Sequence, residues 1–264
     1  MKKHGATELV TWDQLKQVPI PEATRTHQPV EHHQLFHRLA ETLEVLNFST
    51  ENAEHLISHD GQRYVGKLNI QNEKFSTDDY KYKIAVFNSH DKTLPVALIE
   101  GTDTFVCSNG LYTGEFIVSN KHTRNVWDTI YSELRNFAFG LEERKNEMFH
   151  SIEKLRDYDF SSNTEVHDFL IRAMKNNIIN PTDIKPILKH WEEPEHQEFK
   201  DRNGYSLLNA HTSHWRNSNQ FTLPRKTIKI KEFINEFKQP TLEPIEQGYR
   251  EPRITPFDFG GGTF

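Results

Sequence analysis

The stretch Tyr80-Lys81-Tyr82-Lys83-Ile84-Ala85-Val86-Phe87 decides the fold. Its aromatic and β-branched residues and its alternating first half are the pattern of a strand. Tyr80, Tyr82, Ile84 and Val86 share one face, and Lys81 and Lys83 point to the other. The run stops at Asn88-Ser89-His90-Asp91, residues suited to a turn because their side chains cap nearby backbone groups. Outward from there, Tyr64 to Ile70, Leu94 to Ile99, Thr104 to Cys107 and Tyr112 to Val118 also have strand length. Gly61, Gly101-Thr102-Asp103 and Asn109-Gly110 are turn signals between them. The expectation is an antiparallel meander over residues 56–118.

On either side of the meander the period becomes helical. Regular structure begins at Glu31, where Leu35, Leu39, Leu43 and Leu46, with Phe36 and Ala40, give i, i+4 spacing up to about Asn47. After the meander, Trp127, Ile130, Tyr131, Leu134, Phe137, Ala138, Leu141, Met148, Ile152 and Leu155 form one apolar stripe, which predicts a single long helix. Ser162-Asn163-Thr164-Glu165 reads as a capping box, and Asn180-Pro181 as an N-cap followed by proline at the first helical position. A short helix is expected around Leu207, Leu208 and Trp215. Thr227 to Lys231 alternates, and a last helix around Phe233 and Phe237 ends before Pro240.

The ends differ in composition. Pro19, Pro21 and Pro29 forbid a continuous helix in residues 1–30, so this segment is expected to be a flexible arm, tethered by Trp12, Leu15 and Val18. Residues 239–264 carry Pro240, Pro244, Pro252, Pro256 and Gly260-Gly261-Gly262, and are expected to form a flexible tail. The fold class is therefore α+β: one domain over 31–238, its antiparallel sheet backed by a long helix and followed by a smaller helical part within 124–238.

With 264 residues the chain is long enough for a proper core. A formal charge of -6 means that any site for a polyanion must be a local basic patch. The single cysteine, Cys107, excludes an internal disulfide and fits a reducing compartment. No stretch approaches the roughly 18 apolar residues of a membrane span. A soluble protein of the cytosol is expected.

Four groups of residues invite chemistry. In Asn88-Ser89-His90-Asp91, an imidazole oriented by Asp91 has the makings of a general base, although turn chemistry explains the same residues. Cys107 near His90 or His122 suggests a thiolate nucleophile, set against an inert buried thiol. His33 and His37 stand four apart on one helix face, the spacing for a shared metal, with His90, Asp91 or His122 as further ligands; Gln34 stands where zinc hydrolases carry glutamate. No cofactor or resident metal is expected from so open a ligand set. The fourth group mixes cations and rings: Tyr80-Lys81-Tyr82-Lys83, Lys121-His122-Thr123-Arg124, and Arg225-Lys226-Thr227-Ile228-Lys229-Ile230-Lys231. Phosphates need such cations, and unpaired bases stack on aromatic rings.

Asn88-Ser89-His90-Asp91, Cys107-Ser108-Asn109-Gly110, Lys121-His122-Thr123 and the run Tyr205-Ser206-Leu207-Leu208-Asn209-Ala210-His211-Thr212 together resemble the phage/plasmid-like proteins of domain-of-unknown-function family 932. The resemblance covers roughly Val18 to Phe237. It implies a bacterial host cytosol and gives the four turn residues a weight beyond turn chemistry, while naming no activity. The order of strands and then a long helix is similar to the core of phage single-strand annealing proteins, a likeness of fold alone.

The expected function is accessory: binding of single-stranded DNA in replication or recombination, without covalent chemistry. The residues expected to carry it are Lys81, Tyr82, Lys83, Asn88, His90, Lys121, His122, Arg124, Arg225, Lys226 and Lys229. Phe257, Asp258, Phe259 and the terminal Phe264 are similar to tails through which single-stranded-DNA-binding proteins recruit replication partners. Here, however, only four acids, Glu243, Glu246, Glu251 and Asp258, face Arg250 and Arg253. The alternatives are a metal-dependent phosphoesterase or nuclease at His33, His37, His90 and Asp91, and a protein-interaction factor such as an inhibitor of host defence.

Overall fold

The computed structural model describes residues 7–77, 80–104, 111–120, 122–160, 162–216 and 218–238. Its sheet is a six-stranded meander, ordered as in the chain with every neighbour antiparallel. The strands are β1 (Thr7–Val10), β2 (Thr50–Ser58), β3 (Arg63–Ile70), β4 (Tyr80–Ser89), β5 (Val96–Thr104) and β6 (Leu111–Asn120). The α+β expectation therefore stands, with a larger sheet than 56–118. β2 escaped notice because Thr50-Glu51-Asn52-Ala53-Glu54 lies towards the open edge and buries no apolar residue, so it carries no alternation. Gly101-Thr102-Asp103 is not a turn. β5 runs through it to Thr104, with Gly101 opposite Lys83 on one side and Tyr112 on the other. Lacking a side chain, Gly101 leaves room for the Lys83 ammonium to reach the Tyr112 ring, 4.5 Å from its centroid. The rest of the expected Thr104 to Cys107 strand lies outside the described residues.

The N-terminal segment is not a free arm. β1 pairs with β2, and the short helix α1 (Trp12–Lys16) starts from a capping box between Thr11 and Gln14 and buries Leu15. From there the chain crosses the end of the sheet as a strap, exposed at residues 19–26 and buried again at His27 and Val30. The prolines exclude a helix, as expected; they are compatible with an extended strap.

Helix α2 (His32–Val45) follows and buries His32, Leu35, Phe36, Leu39 and Leu43. The expected single long helix is two, α3 (Val126–Phe139) and α4 (Leu141–Arg156). They break at Gly140, whose ψ of 6° leaves the helix and where the Arg144 guanidinium fills the space of a side chain. The apolar stripe runs straight across the break, which is why periodicity alone missed it. Helix α5 (Asn163–Lys175) starts at Ser162 without a capping box: Ser162 makes no capping bond, and Glu165 pairs with Lys238 instead. A 3-10 turn at Pro181–Asp183, where the Asp183 carboxylate accepts from the Asn180 backbone at 2.9 Å, leads into α6 (Ile184–Glu192), in line with the Asn180-Pro181 signal. Helices α7 (Gly204–Trp215) and α8 (Leu223–Lys238) complete the described fold. The alternating run Thr227 to Lys231 lies inside α8, where Leu223, Thr227, Ile230 and Ile234 face inward at helical spacing.

Residues opposite one another in neighbouring strands share a face. On one face, Gly66, Val86 and Leu98 lie in register, and Phe36 of α2 fits against Gly66, where a Cβ would come 2.5 Å from its ring. Arg144 of α4 reaches Glu100 on the same face, 2.8 Å away. On the other face, Lys67 donates to Gln220 ahead of α8 at 2.9 Å, and α8 packs along β6. The central strands are therefore buried on both sides.

Candidate functional site

Asn88, at the end of β4 with no exposed surface, is the hub of a buried network drawn from four segments of the chain. Its amide nitrogen donates to the Val30 carbonyl at 2.6 Å and to His32 Nδ1 at 2.8 Å. Its carbonyl oxygen accepts from His122 Nε2 at 2.7 Å. His32 Nε2 donates to the Gly61 carbonyl at 3.0 Å, and His90 Nε2 to the Val30 carbonyl at 3.0 Å. The rings of His32 and His90 stack 4.0 Å apart and 7° from parallel, and His27 lies 5.2 Å from His122. With both nitrogens bonded, His32 is defined as a neutral ring protonated at Nε2, and His90 and His122 each donate from Nε2. Burial points the same way: it pulls the pKa of His32 down to about 3 and of His122 to about 4, and lowers those of His90 and His27.

Asp91 does not orient His90. Its carboxylate accepts from Arg63 Nε at 2.9 Å, and from the Thr93 backbone at 2.9 Å and hydroxyl at 2.5 Å. The last two bonds close the turn. Ser89 Oγ accepts from Leu94 N and donates to Leu94 O. All four residues of the turn are thus engaged by the fold, and the general-base pairing is absent. His33 and His37 do not approach His90: His33 faces Glu31 at 3.4 Å and the edge of Trp12, and His37 is exposed. The histidine that does meet His90 is His32, one residue earlier. It was legible as the member of the Leu35, Phe36 and Leu39 stripe one turn upstream. Among the described residues no group of three or more His, Cys, Asp or Glu is placed to hold a metal. Cys107 lies outside them, as do Lys121, Phe257, Asp258, Phe259 and Phe264.

The Tyr205 to Thr212 run is equally internal. All of it is buried on α7, with Asn209, His211 and Thr212 bonded to backbone carbonyls of their own helix.

The sheet does not present the expected nucleic-acid residues. Tyr82 is core, edge-on to Phe75 at 5.5 Å. Lys83 is 1% exposed. Lys81 pairs with Glu51 at 2.7 Å. Asn88, His90 and His122 are locked in the network described above. The causes differ by face: α2 and the strap cover the side of Tyr82 and Asn88, while the layer of α8 turns the side of Lys83, expected to be solvated, into interior. In the C-terminal cationic run, Arg225 and Lys229 are exposed, Lys226 leans over Trp215 at 5.4 Å, and Lys231 bonds Ser151, its pKa brought down to about 8 by burial.

A surface not anticipated from the sequence lies on α3. Trp127, Tyr131, Arg135 and Phe139 recur every four residues along its outer side, and Arg124 is exposed one turn before them. Tyr131 is 45% exposed and Phe139 70%. The Trp127 and Tyr131 rings are 6.1 Å apart, and the Arg38 guanidinium of α2 lies over the Tyr131 ring at 5.4 Å. Asp128 flanks this ridge. Trp127 and Tyr131, expected in the core stripe, lie outside it, and Val126, Ile130, Leu134 and Phe137 fill the buried face. The signal was the width of the stripe, too broad for one buried face and with Arg135 in it.

Among the described residues no helix is long and apolar enough to cross a membrane. Comparison with curated proteins gives no match, and comparison with solved structures gives none. Residues 23–232 match the family model described as Domain of unknown function (DUF932), a span that takes in the later part of the strap, the whole histidine network, the α3 ridge and α7. The chain belongs to the DUF932 family.

Proposed function

We propose that this protein binds single-stranded DNA without covalent chemistry, as an accessory factor in replication or recombination of a phage or plasmid in a bacterial cytosol. The observation that carries the reading is the α3 ridge, where exposed Tyr131 and Phe139 alternate with Arg135 and are flanked by Arg38 and Arg124. Single strands are held by this pairing of groups, rings for the bases and cations for the phosphates. Arg225 and Lys229 are further exposed cations on α8. The histidine network has a supporting part, since it ties the strap and α2 to the start of α3. Phe257, Asp258, Phe259 and Phe264 are the proposed contact for replication, recombination or transcription proteins.

The test is a fluorescence-anisotropy titration with labelled single strands and duplexes at several salt concentrations. The expected result is tighter binding of single strands, weakening steeply with salt. Absence of binding at low salt overturns the reading. Pull-downs with the full chain and with a chain ending at Gln239 test the recruiting role, which fails if both capture the same proteins.

A further inference from the structure

Resting on the strand-binding reading, we propose that Tyr131 is a stacking platform for one unpaired base and that Arg38 occupies the platform until a strand arrives. Arg38 is placed for an exchange. Its guanidinium lies 5.4 Å from the Tyr131 ring centroid and donates to Glu41 at 2.6 Å, so a flat cation lies over a ring whose residue is 45% exposed. Such a contact at an exposed site is weaker than the stacking of a base on the same ring. The arriving base therefore takes the ring, and the guanidinium turns to the adjoining phosphate, exchanging a π contact for a charge-assisted hydrogen bond. Trp127, half-buried and 6.1 Å from Tyr131, braces the ring against the core.

The spacing along α3 continues the pattern. At 1.5 Å of rise per residue, Phe139 lies about 12 Å beyond Tyr131, with Arg135 about midway. A strand laid along the helix meets ring, cation and ring in turn. The interleaved arginines favour a polyanion over an apolar protein surface as the occupant; the acids beside the ridge, Asp128 and Glu41, bear on its edges, and Glu41 is already engaged by Arg38.

The experiment compares a labelled oligothymidine with an abasic deoxyribose-phosphate strand of equal length, using the full chain and the variants Tyr131→Ala, Tyr131→Phe and Arg38→Ala. Tyr131→Ala is expected to weaken oligothymidine binding by about 5- to 100-fold and to leave abasic binding unchanged. Tyr131→Phe keeps the ring and stays within about twofold on oligothymidine, as the hydroxyl has no part in stacking. Arg38→Ala lowers the log-log salt slope by about 0.7, while Tyr131→Ala leaves it unchanged. If the natural chain binds oligothymidine and Tyr131→Ala binds it equally well, or loses as much on the abasic strand, the platform is overturned while strand binding survives. If the natural chain binds neither strand, both fall. Tyr131 and Arg38 are surface residues, and a melting curve for each variant separates lost binding from lost folding.

Discussion

Asn88 donates a hydrogen bond to Nδ1 of His32 across 2.8 Å, and this contact tolerates only a neutral imidazole. A proton on Nδ1 would set donor against donor. Turning the Asn88 amide over would remove that conflict but place its oxygen against the Val30 carbonyl, which now accepts at 2.6 Å. The structure thus couples the protonation of His32 to the attachment of the strap at Val30 and, through the other end of the amide, to His122.

Stability should fall as the pH is lowered from neutral. In the unfolded chain these imidazoles titrate near 6.5, whereas folded His32 and His122 are held down at about 3 and about 4 by burial. Between those values the unfolded state binds more protons, so stability is complete above about pH 6.5 and declines progressively down to pH 4 to 3. Each such group contributes a slope of at most about 1.4 kcal/mol per pH unit. Urea midpoints at pH 7, 6 and 5 check this, and a midpoint that holds steady to pH 5 would contradict it.

Asn88→Ala should be among the most damaging single changes. It removes three hydrogen bonds at once and leaves His32 Nδ1 and the His122 N–H buried without partners. At about 1–3 kcal/mol per orphaned group, a loss of about 3 kcal/mol or more is expected. Chemical denaturation measures it; a loss under about 1 kcal/mol would mean that water replaces the amide.

Gly66→Ala tests the seat of α2 on the sheet. A Cβ there would lie 2.2 Å from the Tyr64 hydroxyl and 2.5 Å from the Phe36 ring. The Tyr64 hydroxyl is itself held by His55 Nδ1 at 2.9 Å and cannot easily move aside. Overpacking of this kind costs about 1–3 kcal/mol. An alanine variant with an unchanged melting temperature would show that α2 sits less closely than these distances imply.

The existence of β3, β4 and α2 was legible from residue type and period. What pattern leaves out is the number of layers. Alternation in Tyr80 to Phe87 separates Lys83 from Tyr82 correctly, but whether the lysine side meets water depends on α8 and the Gln220 loop, more than a hundred residues away. The break at Gly140 was hidden because apolar positions continue on both sides of it. At the candidate site, i, i+4 spacing drew attention to His33 and His37, although helix rotation buries His32. The α3 ridge was obscured by the opposite error, since exposed aromatic residues on an amphipathic helix look like core until a neighbouring stripe is seen to fill it.

The last prediction separates the sheet from the ridge as the strand-binding surface. Lys83 is 1% exposed and lies against the Tyr112 ring, so its charge cannot pair with a phosphate in the folded protein. Arg135 is exposed in the middle of the ridge. Lys83→Met keeps the length and apolar stem of the side chain and should leave the salt dependence of single-strand binding unchanged, whatever it does to the melting temperature. Arg135→Ala should do the reverse, leaving the melting temperature within a degree or two and lowering the log-log salt slope by about 0.7, the contribution of one phosphate contact to a single strand. Anisotropy titrations of both variants at four or more salt concentrations, beside their melting curves, give the comparison. A slope lowered by Lys83→Met and untouched by Arg135→Ala would return the interface to the sheet, and would require the layer of α8 to move aside when DNA binds.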